Sequence, residues 1–239
     1  MALILNIETS TEVCSVSLSR EGSCIDIKLS GLDEIEIGKG SHSRLLAPFI
    51  KEILDKNNIK PHDLDAVAIS SGPGSYTGLR IGVSTCKGFC FGANLPLIAV
   101  STLQIMANMA KQKTDNYDLY IPMIDAKRME VYTAVFNRDI EFITDIEAKI
   151  IREDSYLEIN DKKTAFFGNG SDKCESIIKN ENFTFLKEIY PSAEYMGHFA
   201  EQYFIEKKFV DLVYFEPFYL KDFVTTTPKN KIENLLKGK

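Results

Sequence analysis

The chain has 239 residues, 44% of them hydrophobic and 10% aromatic, enough apolar material for one large or two small packed domains. Its formal net charge of −6 argues against a broad basic surface that could hold nucleic acid unaided. Glu8 interrupts the first apolar run, which reads as a buried strand and not a signal peptide. No apolar stretch approaches the ~20 residues that span a bilayer. Five cysteines with no CxxC pair point to reduced thiols, and a cytoplasmic protein is expected.

In chain order, "LILNIETST", "EVCSVSLSREG" and "SCIDIKLSG" read as three strands, the last two joined by a Glu21-Gly22 turn. A polar loop covers 31–41. "SHSRLLAPFIKEILDKNN" then reads as a helix capped by Ser41 or Ser43. "LDAVAIS" is a strand, "YTGLRIGVSTCKGFCFGAN" a helix, "LPLIAVS" a strand and "TLQIMANMAKQ" a helix. The order βββαβαβα defines a mixed α/β lobe over residues 1–111. A second lobe, 112–239, begins after the polar "KQKTDNYD" with a hairpin turning at Ala126-Lys127-Arg128. Further strands are expected around 140–151, a helix near 153–159, a strand at "KTAFFGNG", and helices at "SDKCESIIKN" and "SAEYMGHFAEQYFIEKK". Strands first and helices after, twice over, predict two related lobes. The basic "PKNKIENLLKGK" reads as a solvated end.

"ISSGPGSYTGLRIG", residues 69–82, has the look of a phosphate loop. It lacks the GxxxxGK[ST] pattern whose backbone amides and lysine cradle phosphates. It also has G-x-G-x-x-x-G in place of G-x-G-x-x-G, with no acid ending the next strand for a ribose. What remains is a tight strand-to-helix turn with Ser75 or Thr77 as cap. The helix that follows is apolar on two faces. Leu79, Val83, Cys86 and Cys90 share one, Gly78, Gly82 and Gly92 lie on the other, and Arg80, Ser84 and Lys87 mark a narrow polar stripe. Residues 42–57 are similar, with Leu45, Leu46, Phe49 and Ile50 among the apolar positions. Such helices are either fully buried in their own domain or shared with a partner.

"LNIETST", "HSRLLAPFI", "GPGSYTGLRIG", "LPLIAVSTL", "IDAKRMEVYTAVF" and "EPFYLKD" occur in the order seen in bacterial TsaB (YeaZ-type) proteins, which the chain resembles from residue 3 to about 224. The resemblance implies an α/β, two-lobed actin/Hsp70-like (ASKHA) fold. It also implies a role in forming N6-threonylcarbamoyladenosine at position 37 of tRNA. In that pathway TsaB is the non-catalytic partner of its paralogue TsaD, and a small ATPase, TsaE, docks on the pair. The family pairs with TsaD through the two helices above and forms a homodimer when alone, meeting tRNA only through the complex.

The residues bear on that division of labour. TsaD carries an H-x-x-x-H helix for a metal. Here "HSRLL" keeps His42 but places Leu46 at the second ligand, so neither a metal site nor a peptidase is expected. G-x-S-x-G is absent as well. The rival reading is an independent ATPase or kinase, whose first strand would end in a D-x-G-[ST] loop organising Mg²⁺ and phosphate. This chain has Glu8-Thr9-Ser10 there, without the glycine, so these three residues would make weak nucleotide contact at most. The protein therefore has no cofactor of its own, with ATP admitted only in the complex. The partner interface is assigned to Leu45, Phe49, Leu79, Val83, Cys86 and Cys90, and the glycine face to the chain's own sheet.

Overall fold

The computed structural model describes residues 2–30 and 42–220; the 31–41 loop, the Ser41 cap and the basic C-terminal stretch lie outside them. The first sheet is built from β1 (Leu3–Glu8), β2 (Ser15–Arg20), β3 (Ser23–Leu29), β4 (Ala66–Ser70) and β5 (Leu97–Val100), in the order β3-β2-β1-β4-β5. Glu21 and Gly22 both take positive φ, which is the geometry of a two-residue hairpin turn. β1 runs antiparallel to β2 and parallel to β4, and β4 parallel to β5. The parallel steps are crossed by α1 (His42–Lys56) and α2 (Tyr76–Ala93). α3 (Thr102–Lys113) follows β5.

The second sheet comprises β6 (Leu119–Asp125), β7 (Glu130–Thr133), β8 (Glu147–Ile150), β9 (Thr164–Phe167) and β10 (Phe183–Leu186). Its order, β10-β9-β6-β7-β8, is that of the first sheet with β6 in the place of β1. Antiparallel β6-β7-β8 and parallel β6-β9-β10 repeat the first pattern strand for strand. The two lobes are one topology used twice.

Three cores divide the layers. α1 and α2 cover the outer face of the first sheet, where Leu5, Ile7, Val67 and Ile69 meet Leu46, Ile50, Ile53 and Val83. The outer face of the second sheet buries Ile121, Phe166, Tyr156 and Cys174. Between the sheets lie α3 and α4 (Gly197–Ile205), so Ile4, Ala68 and Ile98 share one core with Tyr120, Ala165 and Phe167. α3 is buried from Thr102 to Ala110. Two of its polar members bond to the structure around it: Tyr203 donates to Gln104 at 3.2 Å, and Asn108 donates to the Tyr195 carbonyl at 2.9 Å.

Four expectations need correction. Residues 153–159 form turns and a short 3₁₀ stretch, because Tyr156, buried against Phe166, sits at φ 70° and breaks the helix. "SDKCESIIKN" is a run of turns, and the four-residue strand β10 (Phe183–Leu186) after it falls outside the expected elements, being too short to establish a period. The last predicted helix is shortened to α4 by a 3₁₀ turn at Ala193–Tyr195. Finally, residues from Ala193 onward, assigned by sequence to the second lobe, pack on the first. Ala193 donates to Ser15, Ser17 donates back to the Ala193 carbonyl, and Glu201 accepts from the Ala2 amide.

Because α3 serves both sheets, Leu103→Ala should weaken both lobes together. A loss of about 2–5 kcal/mol is expected, seen in chemical denaturation as one shifted transition by probes of either lobe.

Candidate functional site

The end of β1 and the start of α2 form one unit. Ser75 caps α2, its hydroxyl accepting from the Gly78 amide at 3.3 Å, while its own amide donates to the Ser10 carbonyl at 2.6 Å. Gly74, Gly78 and Gly82 repeat every fourth residue and face the 9–10 loop. A Cβ on Gly74 would collide with the Ser10 carbonyl, one on Gly78 with the Thr9 carbonyl, and one on Gly82 with the Thr9 hydroxyl. The glycine loop thus seats a helix directly on backbone.

Glu8, Thr9 and Ser10, the sequence candidates for nucleotide contact, are fully buried beneath this helix. The Glu8 carboxylate accepts from the Ser10 amide, and β1–β4 pairing sets it beside Ser70. Burial pushes its pKa from the ordinary 4.5 up to about 7, although the hydrogen bonds from Ser10 and Ser70 pull the other way. Asp125, at the same place on β6, is paired with Lys173. The "GNGSD" loop is tied down as well: Asn169 accepts from the Asp125 amide, and the Gly170 amide donates to Met123.

A cleft of about 730 Å³ opens between the lobes, lined by Thr11, Val13, Met106, Gly168 and Leu186 among others. The lysines on its rim are engaged. Lys113 donates to the Glu188 carbonyl at 3.1 Å, and Lys187 pairs with Asp172 and Glu175. Among the described residues no group of three or more His, Cys, Asp or Glu is placed to hold a metal. No described helix is long and apolar enough to cross a membrane.

The assigned interface must be redrawn. Leu79, Val83, Cys86 and Cys90 lie inside the chain's own core with Leu46, Ile50 and Ile53 of α1, and so are unavailable to a partner. Burial holds the Cys90 thiol up at about 12 and Cys86 well above its usual value, which makes both inert. Gly78 and Gly82 do pack inward as expected, but Gly92 is exposed. α2 therefore turns Thr77, Arg80, Ser84, Gly88 and Phe91 to solvent, and α1 beside it half-exposes Leu45 and Phe49. Sequence reading missed Phe91. The signal was present, since Phe91 continues the polar stripe of Arg80, Ser84 and Lys87, where an aromatic is out of place.

Two lobes of identical strand order facing each other across a cleft define the actin/Hsp70-like class. A solved Pseudomonas aeruginosa structure, described as an uncharacterized protein with similarity to peptidase YEAZ, superposes with a TM-score of 0.81 at 24% identity, covering 92% of this chain and all of that one. The family model TsaD, tRNA N6-adenosine threonylcarbamoyltransferase, matches residues 36–223. The Escherichia coli tRNA threonylcarbamoyladenosine biosynthesis protein TsaB is 32% identical over 92% of this chain and 94% of its own length. The Haemophilus influenzae TsaB is 29% identical over 93% and 94%. The chain belongs to the TsaB (YeaZ-type) family.

The raised Glu8 pKa gives a signed pH dependence. The folded chain favours the protonated carboxyl, so this stabilisation is complete below the ordinary 4.5 and lost as pH rises through about 7. Its size is on the order of 3 kcal/mol. Glu8→Gln keeps the acceptor for Ser10 without the charge. Its melting temperature should match the parent near pH 4.5 and exceed it at pH 8.

Proposed function

We propose that this chain is the non-catalytic subunit that pairs with a TsaD-type paralogue to support threonylcarbamoyl transfer to adenosine 37 of tRNA. The observation that carries this reading is the seating of α2. The loop that would clasp phosphate in a catalytic relative is buried under Gly74, Gly78 and Gly82, and the same packing presents the outer face of α2 as a rigid surface. Family membership supports the pathway, and the TsaD-type family model supports a partner of the same fold.

In this reading the subunit holds no cofactor, and ATP belongs to the assembled complex. A TsaE-type ATPase docks on the pair, tRNA is met through the pair, the free chain forms a homodimer, and the site of action is the cytoplasm. The contribution of the chain is mechanical. α2 is clamped by backbone contacts and the Ser75 cap on one side and by core packing on the other, so it offers a partner an ordered face at little entropic cost.

Depleting the chain from cells should lower threonylcarbamoyladenosine in bulk tRNA, read by nucleoside mass spectrometry. The parent gene should restore it and Gly88→Arg should not. Nothing lies within 4 Å of a Cβ built on Gly88, and Arg raises helix propensity by up to about 1 kcal/mol, so this variant folds. Normal nucleoside levels after depletion would overturn the reading.

A further inference from the structure

After α4 the chain runs as a strap, residues 206–220, along the flank of α2 and against its direction. Val210 pairs with Leu97 at the free edge of β5, its amide donating at 2.9 Å. Lys87 of α2 donates to the Val213 carbonyl at 2.9 Å. The Phe218 amide donates to the Ser71 carbonyl at 2.7 Å, and the rings of Tyr76 and Tyr219 meet at 4.9 Å. Inward, Val210, Leu212 and Phe215 pack on the first core. Outward, the Asp211 carboxylate accepts from the amides of Val213 and Tyr214 at 2.8 and 2.9 Å, closing a turn that holds both side chains in solvent.

Tyr214, Phe91 and Val213 are 82%, 81% and 75% exposed, more than any other large hydrophobic side chain among the described residues. They fall together. Lys87 carries the strap at Val213, and Phe91 is one helical turn further along the same side of α2. Two aromatics and a valine so exposed make a patch on the order of 400 Å². A stable complex needs about 800 Å² from each side, twice what the patch supplies. The outer face of α2, on which Phe91 lies with Thr77, Arg80, Ser84 and Gly88, is continuous with it and provides the remainder.

We infer that the 211–214 turn and Phe91 form one docking surface with the outer face of α2, and that its occupant is the two-lobed TsaD-type partner. This rests on the pairing proposed above. The strap is a part of that interface which the helix pair alone does not contain.

The test titrates the full chain against the purified TsaD-type paralogue of the same organism by calorimetry. Val213→Ser combined with Tyr214→Ser should leave the melting temperature unchanged and weaken Kd at least about tenfold. Should the double variant melt early, Phe91→Ser, which lies on the helix and touches no strap hydrogen bond, must show the same weakening. An unchanged Kd, with Gly88→Arg abolishing binding, overturns the strap and leaves the helix reading standing. Weakening by the strap variants while Gly88→Arg binds normally supports the strap and overturns the helix reading. Loss confined to self-association, read by sedimentation with partner binding intact, makes the patch a contact between copies and overturns the inference.

Discussion

The close seating of α2 on the Thr9–Ser10 loop is the contact on which the rest depends. Three glycines spaced by four residues allow the approach: Gly74 and Gly78 meet the backbone carbonyls of Ser10 and Thr9, and Gly82 meets the Thr9 side chain. Glycine inside a helix costs roughly 0.5–1 kcal/mol relative to alanine. The cost at Gly78 and Gly82 is offset by what the approach brings into the core, namely Leu79, Val83, Cys86 and Cys90 against α1 and the first sheet. One packing decision thus covers the Glu8–Ser10 segment, buries one face of α2 and leaves the opposite face to solvent.

The inner face of the first sheet is polar along β2 and the second half of β1. Asn6, Glu8, Ser15, Ser17 and Ser19 are all buried there. Asn6 donates to Ser17 and Ser19, while Ser15 and Ser17 bind the backbone of Ala193 on the returning segment. The closing segment takes up these polar groups through hydrogen bonds that a shift of register would break. Glu8 is the member of this layer least reconciled to burial, which is why its charge is suppressed.

Much of this was legible in the residues. Alternation and turn chemistry located β1 to β5 and both outer helices, since each has one clear period and a cap such as Ser75 or Glu21-Gly22 to end it. The repeated pattern foretold the paired sheets. The faces of α2 were not legible, because both are apolar and glycine is ambiguous: at Gly78 and Gly82 it permits close packing, at Gly88 and Gly92 it leaves open space. Tyr156 at positive φ, and a strap held by single hydrogen bonds to Leu97, Lys87 and Ser71, depend on tertiary contacts that have no local signature.

The two lobes use one topology differently. In each, a carboxylate ends the first strand: Glu8 on β1 lies on the face turned to the other sheet, with Ile4, and Asp125 on β6 lies on the opposite face, with Ile121 and Met123. Glu8 is covered by a helix and favours its proton, whereas Asp125 is held by Lys173, which also donates to the carbonyls of Arg128 and Glu130. Both carboxylates are spent on the chain's own structure. On the first lobe, α2 is gripped from within by glycine contacts and from the flank by the strap.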